Sequence, residues 1–227
     1  MVTAVLTLLA PALCVALFIL TLVLAKGDIC PGQRGRIHKL LPALGLLWLS
    51  VASLKVEAFL VVFALFYFYS KVKTGKTKEK GPFWVLHLTN GFAVAFAGLV
   101  IAFQSNIAAS ISLVCAGLLL GTCLGHLFLI IARTRLQAFH RILPVAGVVF
   151  SMLLTLSVAF NTSQWSEAEI MTHLLGIVVS LVMLLLAVML WSWHMIRHTA
   201  PTTGQVVVAF LSLMLTNVGL IQLYSMV

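Results

Sequence analysis

The residues of this chain best placed to do chemistry stand in "SVASLKVEAFLVVFALFYFYSKVK", residues 50–73, where Lys55 and Glu57 interrupt an otherwise apolar run. The chain has five acidic residues, and Glu57 is the one embedded in apolar sequence. An ionisable group held in lipid-soluble sequence is expensive and is a functional candidate by default. A carboxylate there suits a proton acceptor: partial burial raises its affinity for a proton, while a neighbouring ammonium lowers it. Lys55 and Glu57 would not face each other on a regular helix, so they can pair only across a turn. The plainer reading is an interfacial charge at a hairpin tip, with no catalytic role.

The seven histidines form a second candidate set. His87, His126 and His173 lie in or near apolar segments, whereas His38, His140, His194 and His198 belong to basic stretches. No apolar segment carries the paired histidines of a two-haem bundle, so no haem is expected. Cys14, Cys30, Cys115 and Cys123 show no CxxC pair and no Cys/His metal spacing, and three of them sit in apolar segments as small hydrophobes. No metal ligand is therefore expected. The chain has no P-loop, nucleophile elbow or HExxH motif, which argues against a self-contained ATPase or hydrolase.

The elements that must position these residues are membrane helices. With 62% hydrophobic and 8% charged residues, the chain cannot clothe a water-soluble domain. Its net charge of +9 resides in short loops between apolar segments, where it sets orientation and touches anionic lipid. Nucleic acid is not an expected partner; the lipid bilayer is. The reading is an all-α polytopic membrane helix bundle in which residues 1–227 form a single integral membrane domain. The first apolar segment is too long for a signal-peptide core and is expected to be a retained span.

Clear spans run near 3–25, 83–103, 107–132, 141–160, 169–193 and 204–226. Region 38–71 would be about 50 Å long as one helix, against a hydrocarbon core of about 30 Å. Two helices with a turn near 53–57 would each reach about 24 Å, which a bilayer tolerates. Basic residues decide between these options. With the turn, all of the fourteen lysines and arginines except Lys55 fall on one side or at the adjoining helix ends, including those of "KVKTGKTKEKG". The positive-inside rule then favours eight transmembrane helices with both termini outside, in the periplasm. A multi-pass protein of the bacterial cytoplasmic (inner) membrane is expected.

Smaller signals concern packing. Glycines 117, 121 and 125 give a small-xxx-small face for close helix approach. Asn90, Thr122, Asn217 and Gln222 read as interhelical hydrogen-bonding groups, and Trp165, Trp191 and Trp193 as interfacial anchors. Glu167 and Glu169 suit the N-terminus of a helix.

Several segments, taken in order, carry a family likeness. They are "LTLVLAKGD" closing the first span, "SLKVEAFLVVFALF" opening the third, "LLGTCLGHLFLIIARTRLQAFHRILPVAGVVFSMLLTLSV" with its "RILP" entry to a helix, and the final "FLSLMLTNVGLIQLYSMV". Together they resemble the membrane-anchor subunit of the dimethyl sulfoxide reductase family. That resemblance implies eight helices, outside termini, no haem, and menaquinol as electron donor. It implies two partners, an iron-sulfur electron-transfer subunit and a molybdopterin catalytic subunit. Glu57 would match the family's acidic residue at the quinol site and accept a proton from the quinol hydroxyl. The family's longer second-to-third connection is reduced here to "VASLK", and Lys55 would supply positive charge to a remodelled quinol site. A small-solute or ion transporter and a non-catalytic assembly or accessory protein stand as the alternatives.

Overall fold

A computed structural model of the protein describes residues 1–72, 81–134 and 136–224. The expected basic face at residues 73–80 and at residue 135 lies outside the described residues. Within them the ordered structure is entirely helical: α1 (Val2–Lys26), α2 (Pro31–His38), α3 (Leu41–Val51), a single 3₁₀ turn (Val56–Ala58), α4 (Phe59–Lys71), α5 (Phe83–Ala102), α6 (Ile107–Ile131), α7 (Gln137–Thr162), α8 (Glu167–Ile196) and α9 (Thr203–Tyr224). Six of these helices, α1 and α5 to α9, are long and apolar enough to cross a membrane.

Local sequence explains several of the boundaries. Asn106 caps α6 by accepting a 2.7 Å hydrogen bond from the Ala109 amide. Ser166 and Glu169 form a reciprocal capping box at the start of α8. Segment 26–37, between the first span and region 38–71, was assigned to no helix from the sequence, yet Pro31 at a first-turn position starts the short helix α2 there. The polar face of α2 is tied down by Arg36, whose Nε donates to the Ala132 carbonyl at 2.6 Å and whose Nη2 donates to that of Arg133 at 3.2 Å. A guanidinium on the last carbonyls of α6 also complements the negative end of that helix dipole.

Helices α1 and α6 are the centre of the bundle: 78% of the apolar window of each is buried, against 28–39% for the other four long helices. The glycine face of α6 explains their closeness. A Cβ at 117 would stand 2.6 Å from Pro11 Cβ, and one at 125 would stand 2.8 Å from Ile19 Cδ1; at 121 it would meet Val15. The small-xxx-small spacing thus finds its partner in α1. A second tie joins α1 to α5, where Asn90 Nδ2 donates to Thr21 Oγ1 at 2.8 Å. Thr122 and Asn217 were expected to bond between helices, but both donate to carbonyls of their own helix. That local outlet satisfies a lone polar group without any partner helix.

Helices α3 and α4 make a hairpin. At about 1.5 Å per residue, α3 is about 16 Å long and α4 about 20 Å, so each alone is shorter than a ~30 Å core. Chain direction reverses at residues 52–58, in agreement with the turn expected near 53–57. Gly45 lets the two arms approach, since a Cβ there would lie 2.9 Å from Phe66 Cε2. Trp48 packs edge-on against Phe96 of α5, with ring centroids 6.0 Å apart. At the tip, Lys55 Nζ lies 4.0 Å from the ring centroid of Phe103, the residue that ends α5. The hairpin tip is therefore level with one end of a full-length apolar helix.

Candidate functional site

Glu57 sits inside the 3₁₀ turn at the hairpin tip and is exposed, as is Lys55 immediately before the turn. The Lys55 ammonium is directed onto the Phe103 ring, a cation–π arrangement. The turn that was needed to bring Lys55 and Glu57 together does form, with the lysine head turned toward an aromatic face. Of the other carboxylates, Glu169 is engaged by the Ser166 amide and hydroxyl, both at 2.7 Å.

The more elaborate arrangement lies at the opposite end of the bundle, where the basic residues concentrate. His126 of α6 is fully buried, and Trp191 of α8 with it. Trp191 Nε1, which can only donate, lies 2.9 Å from His126 Nδ1. That bond determines the rest of the network for uncharged rings. His126 must carry its hydrogen on Nε2 and donate it to His140 Nδ1, 3.1 Å away. His140, on α7, then carries its hydrogen on Nε2 and donates to the Thr134 carbonyl at 3.2 Å. A directional chain therefore runs Trp191, His126, His140, Thr134 across three helices and the α6–α7 connection.

A third ring completes the cluster. His194 has Nδ1 2.9 Å from the Trp191 carbonyl and Nε2 3.3 Å from the His140 carbonyl. The ring centroids of His126 and His194 are 5.7 Å apart. The "RILPVAG" sequence of α7 builds the receiving surface for α8. Pro144 cannot donate to the carbonyl four residues earlier, so the His140 oxygen stays open for His194. Gly147 leaves a hollow for the indole: a Cβ there would collide with Trp191 Cζ3 and lie 2.6 Å from Cη2. Trp191 was expected to be an interfacial anchor, and burial beneath α7 is the correction. Trp193 keeps the exposed position and lies under Arg197, with 5.3 Å from guanidinium carbon to ring centroid.

The cluster opens on a cleft of about 560 Å³ lined by Gln137, His140, Arg141, His194, His198 and Thr199, among others. Because Trp191 has no lone pair to accept a proton, the hydrogen-bond chain ends inside the bundle and provides no route through it. The rings bond one another instead of converging on an ion, and among the described residues no group of three or more His, Cys, Asp or Glu is placed to hold a metal. This geometry orients His140 and His194 at the wall of a basic cleft. Sequence inspection placed His126 in an apolar segment and His140 and His194 in basic stretches, and did not bring the three together. The available signal was their recurrence at the same end of three successive helices, with His140 four residues before Pro144. His87 is exposed on α5 and takes no part.

His38 is a further buried ring, at the end of α2 and edge-on to Phe68 with centroids 5.8 Å apart. Burial, reinforced by the Arg34 guanidinium, lowers its pKa to about 4. It is therefore uncharged at neutral pH.

Comparison with known proteins places residues 2–221 in an integral membrane domain family, and the chain belongs to that family. With its several long apolar helices, it is a multi-pass membrane protein. A protein of Haemophilus influenzae described as uncharacterized is 27% identical over 149 residues, covering 61% of this chain and 56% of the relative. The chain thus spans little more than half the length of that relative. No solved structure matches it.

Proposed function

We propose that this member of the integral membrane domain family is a quinol-oxidising subunit of a respiratory oxidoreductase. In this reading it crosses the bacterial inner membrane eight times, with both termini on the periplasmic side. The α3–α4 hairpin supplies two of the crossings, which keeps the basic connections on one face as charge bias requires. The observation that carries the reading is Glu57: an exposed carboxylate at a hairpin tip, level with the end of α5, while Lys55 points onto Phe103.

A quinol headgroup resides near that level of a bilayer, and its electrons leave only as its hydroxyl protons do. Menaquinol gives up two electrons and two protons to become menaquinone. Glu57 accepts the first proton and releases it to the periplasmic water, and is then free to accept the second. The electrons pass to an iron-sulfur subunit docked on the outer face and from there to a molybdopterin subunit. Lys55, held at the same turn, steadies the negative charge of the deprotonated quinol.

The test uses the complex purified in mild detergent with whatever chains accompany this one. Glu57→Gln should lower quinol-dependent turnover by about 10²-fold or more, the scale of general-base catalysis, with the partner chains still bound. Unchanged turnover removes Glu57 from the reaction, and the absence of an iron-sulfur partner removes the reaction itself.

A further inference from the structure

The cleft at the basic end of α7 and α8 has a composition suited to one kind of ligand. Arg141 and His198 stand at its mouth, and Gln137 and Thr199 add neutral donors. His140 and His194 form its inner wall, and among the described residues no carboxylate contributes to the lining. Arg141 is exposed and stands in the second turn of α7, whose N-cap position, Leu136, provides no side-chain cap. The Phe139 and His140 amides are taken by the Leu136 carbonyl, which leaves those of Gln137 and Ala138 at the positive end of the helix dipole. The His194 ring is held in place, with Nδ1 facing the Trp191 carbonyl and Nε2 facing that of His140. Met195, Ala200 and Pro201 give the same cleft an apolar side.

We propose that this cleft binds the phosphate of an anionic lipid headgroup, with Arg141 as the charge-bearing contact and His198 as a hydrogen-bonding one. A basic pocket between membrane helices at the positively charged face matches such headgroups in sign and depth. Size favours a lipid over a free anion, because a bare phosphate would leave most of a cleft of about 560 Å³ unfilled. The apolar side receives the glycerol portion. This assignment does not rest on the quinol reading, which concerns the other end of the molecule.

The experiment is native mass spectrometry of the full chain released from mild detergent, titrated with phosphatidylglycerol, phosphatidylcholine or inorganic phosphate. Phosphatidylglycerol should be retained in preference to phosphatidylcholine. Arg141→Gln should weaken that retention about fivefold, the effect of one basic residue at a charged lipid surface. His198→Gln, at an exposed turn position, should weaken it in the same direction. Arg197→Gln, whose guanidinium lies over Trp193, should leave it unchanged. Equal retention of both lipids, or no loss in either cleft variant, overturns the proposal. So does displacement of the lipid by inorganic phosphate, which would make the ligand a free anion.

Discussion

The Nε2 atom of His194 lies 3.3 Å from the main-chain oxygen of His140, an acceptor left open because Pro144 has no N–H to offer it. A defect in one helix is thus repaired by a side chain of the next. Replacing a helix-interior proline with alanine ordinarily relieves a penalty of about 3 kcal/mol. For Pro144→Ala the new amide would compete with His194 for the same oxygen, so the net gain in stability should be much smaller. Thermal unfolding in detergent, compared between Pro144→Ala and the double variant with His194→Leu, measures the difference. A full gain from the single variant would show that the repair contributes nothing.

Trp191→Phe keeps most of the buried ring but deletes the N–H that His126 Nδ1 accepts. A buried acceptor left without its donor costs about 1–3 kcal/mol. The melting temperature should fall accordingly. His126→Leu in the same background should recover part of that loss, because it removes the orphaned acceptor. Additive losses would mean that the two side chains do not form one network.

Glycines fall into two classes that the same substitution separates. Gly121→Ala and Gly147→Ala place a methyl against Val15 and Trp191 respectively, and overpacking of this kind costs about 1–3 kcal/mol. A Cβ at Gly98 meets nothing, so Gly98→Ala should be neutral or stabilising by up to about 1 kcal/mol, through helix propensity. Similar melting temperatures for all three variants would contradict the α1–α6 and α7–α8 packing described above.

Native cysteines report orientation. Cys30 is exposed at the start of α2, while Cys14, Cys115 and Cys123 are buried. An impermeant thiol reagent should modify Cys30 from the cytoplasmic side alone. Lys55→Cys in a Cys30→Ser background should be modified from the periplasmic side alone. Modification of both positions from one side would refute the proposed crossing of the hairpin.

His38 predicts a pH dependence. Its folded-state pKa of about 4 lies below the ordinary 6.5, so the unfolded chain takes up the proton first as pH falls. The stability linked to its neutral form is complete above pH 6.5 and is lost as pH falls toward 4. His38→Phe, which keeps a ring beside Phe68, should flatten this part of the stability profile. An identical slope in wild type and variant would assign the loss to other groups.

The membrane class and the long helices were legible because a bilayer imposes a simple demand: about twenty apolar residues for each crossing. The ends of α5 and α6 fall within a residue of the hydropathy limits, since "QSN" at 104–106 is polar and Asn106 is a good cap. Helix α2 was missed because its eight residues carry polar and basic side chains, and its order comes from distant carbonyls at Ala132 and Arg133. The turn at Lys55 and Glu57 was legible from length and charge; the direction of the lysine head was not, because it depends on Phe103, far along the chain. The histidine cluster escaped for the same reason. Its members come from α6, α7 and α8, and side-chain spacing within one helix says nothing about register between three.

The glycine face that joins α6 to α1 has a consequence for biosynthesis. Helix α1 leaves the ribosome before α6, and the surface it packs against begins at Gly117, roughly ninety residues later; at about 5–20 residues per second that is a wait of several seconds or more. During that interval α1 must remain beside the translocon or among lipids without its closest neighbour, while the α3–α4 hairpin and α5 insert around it. The centre of the bundle thus closes only after α3, α4 and α5 have emerged, and a chain stalled before residue 117 would carry an α1 without the glycine face that matches it, a target for quality-control proteases.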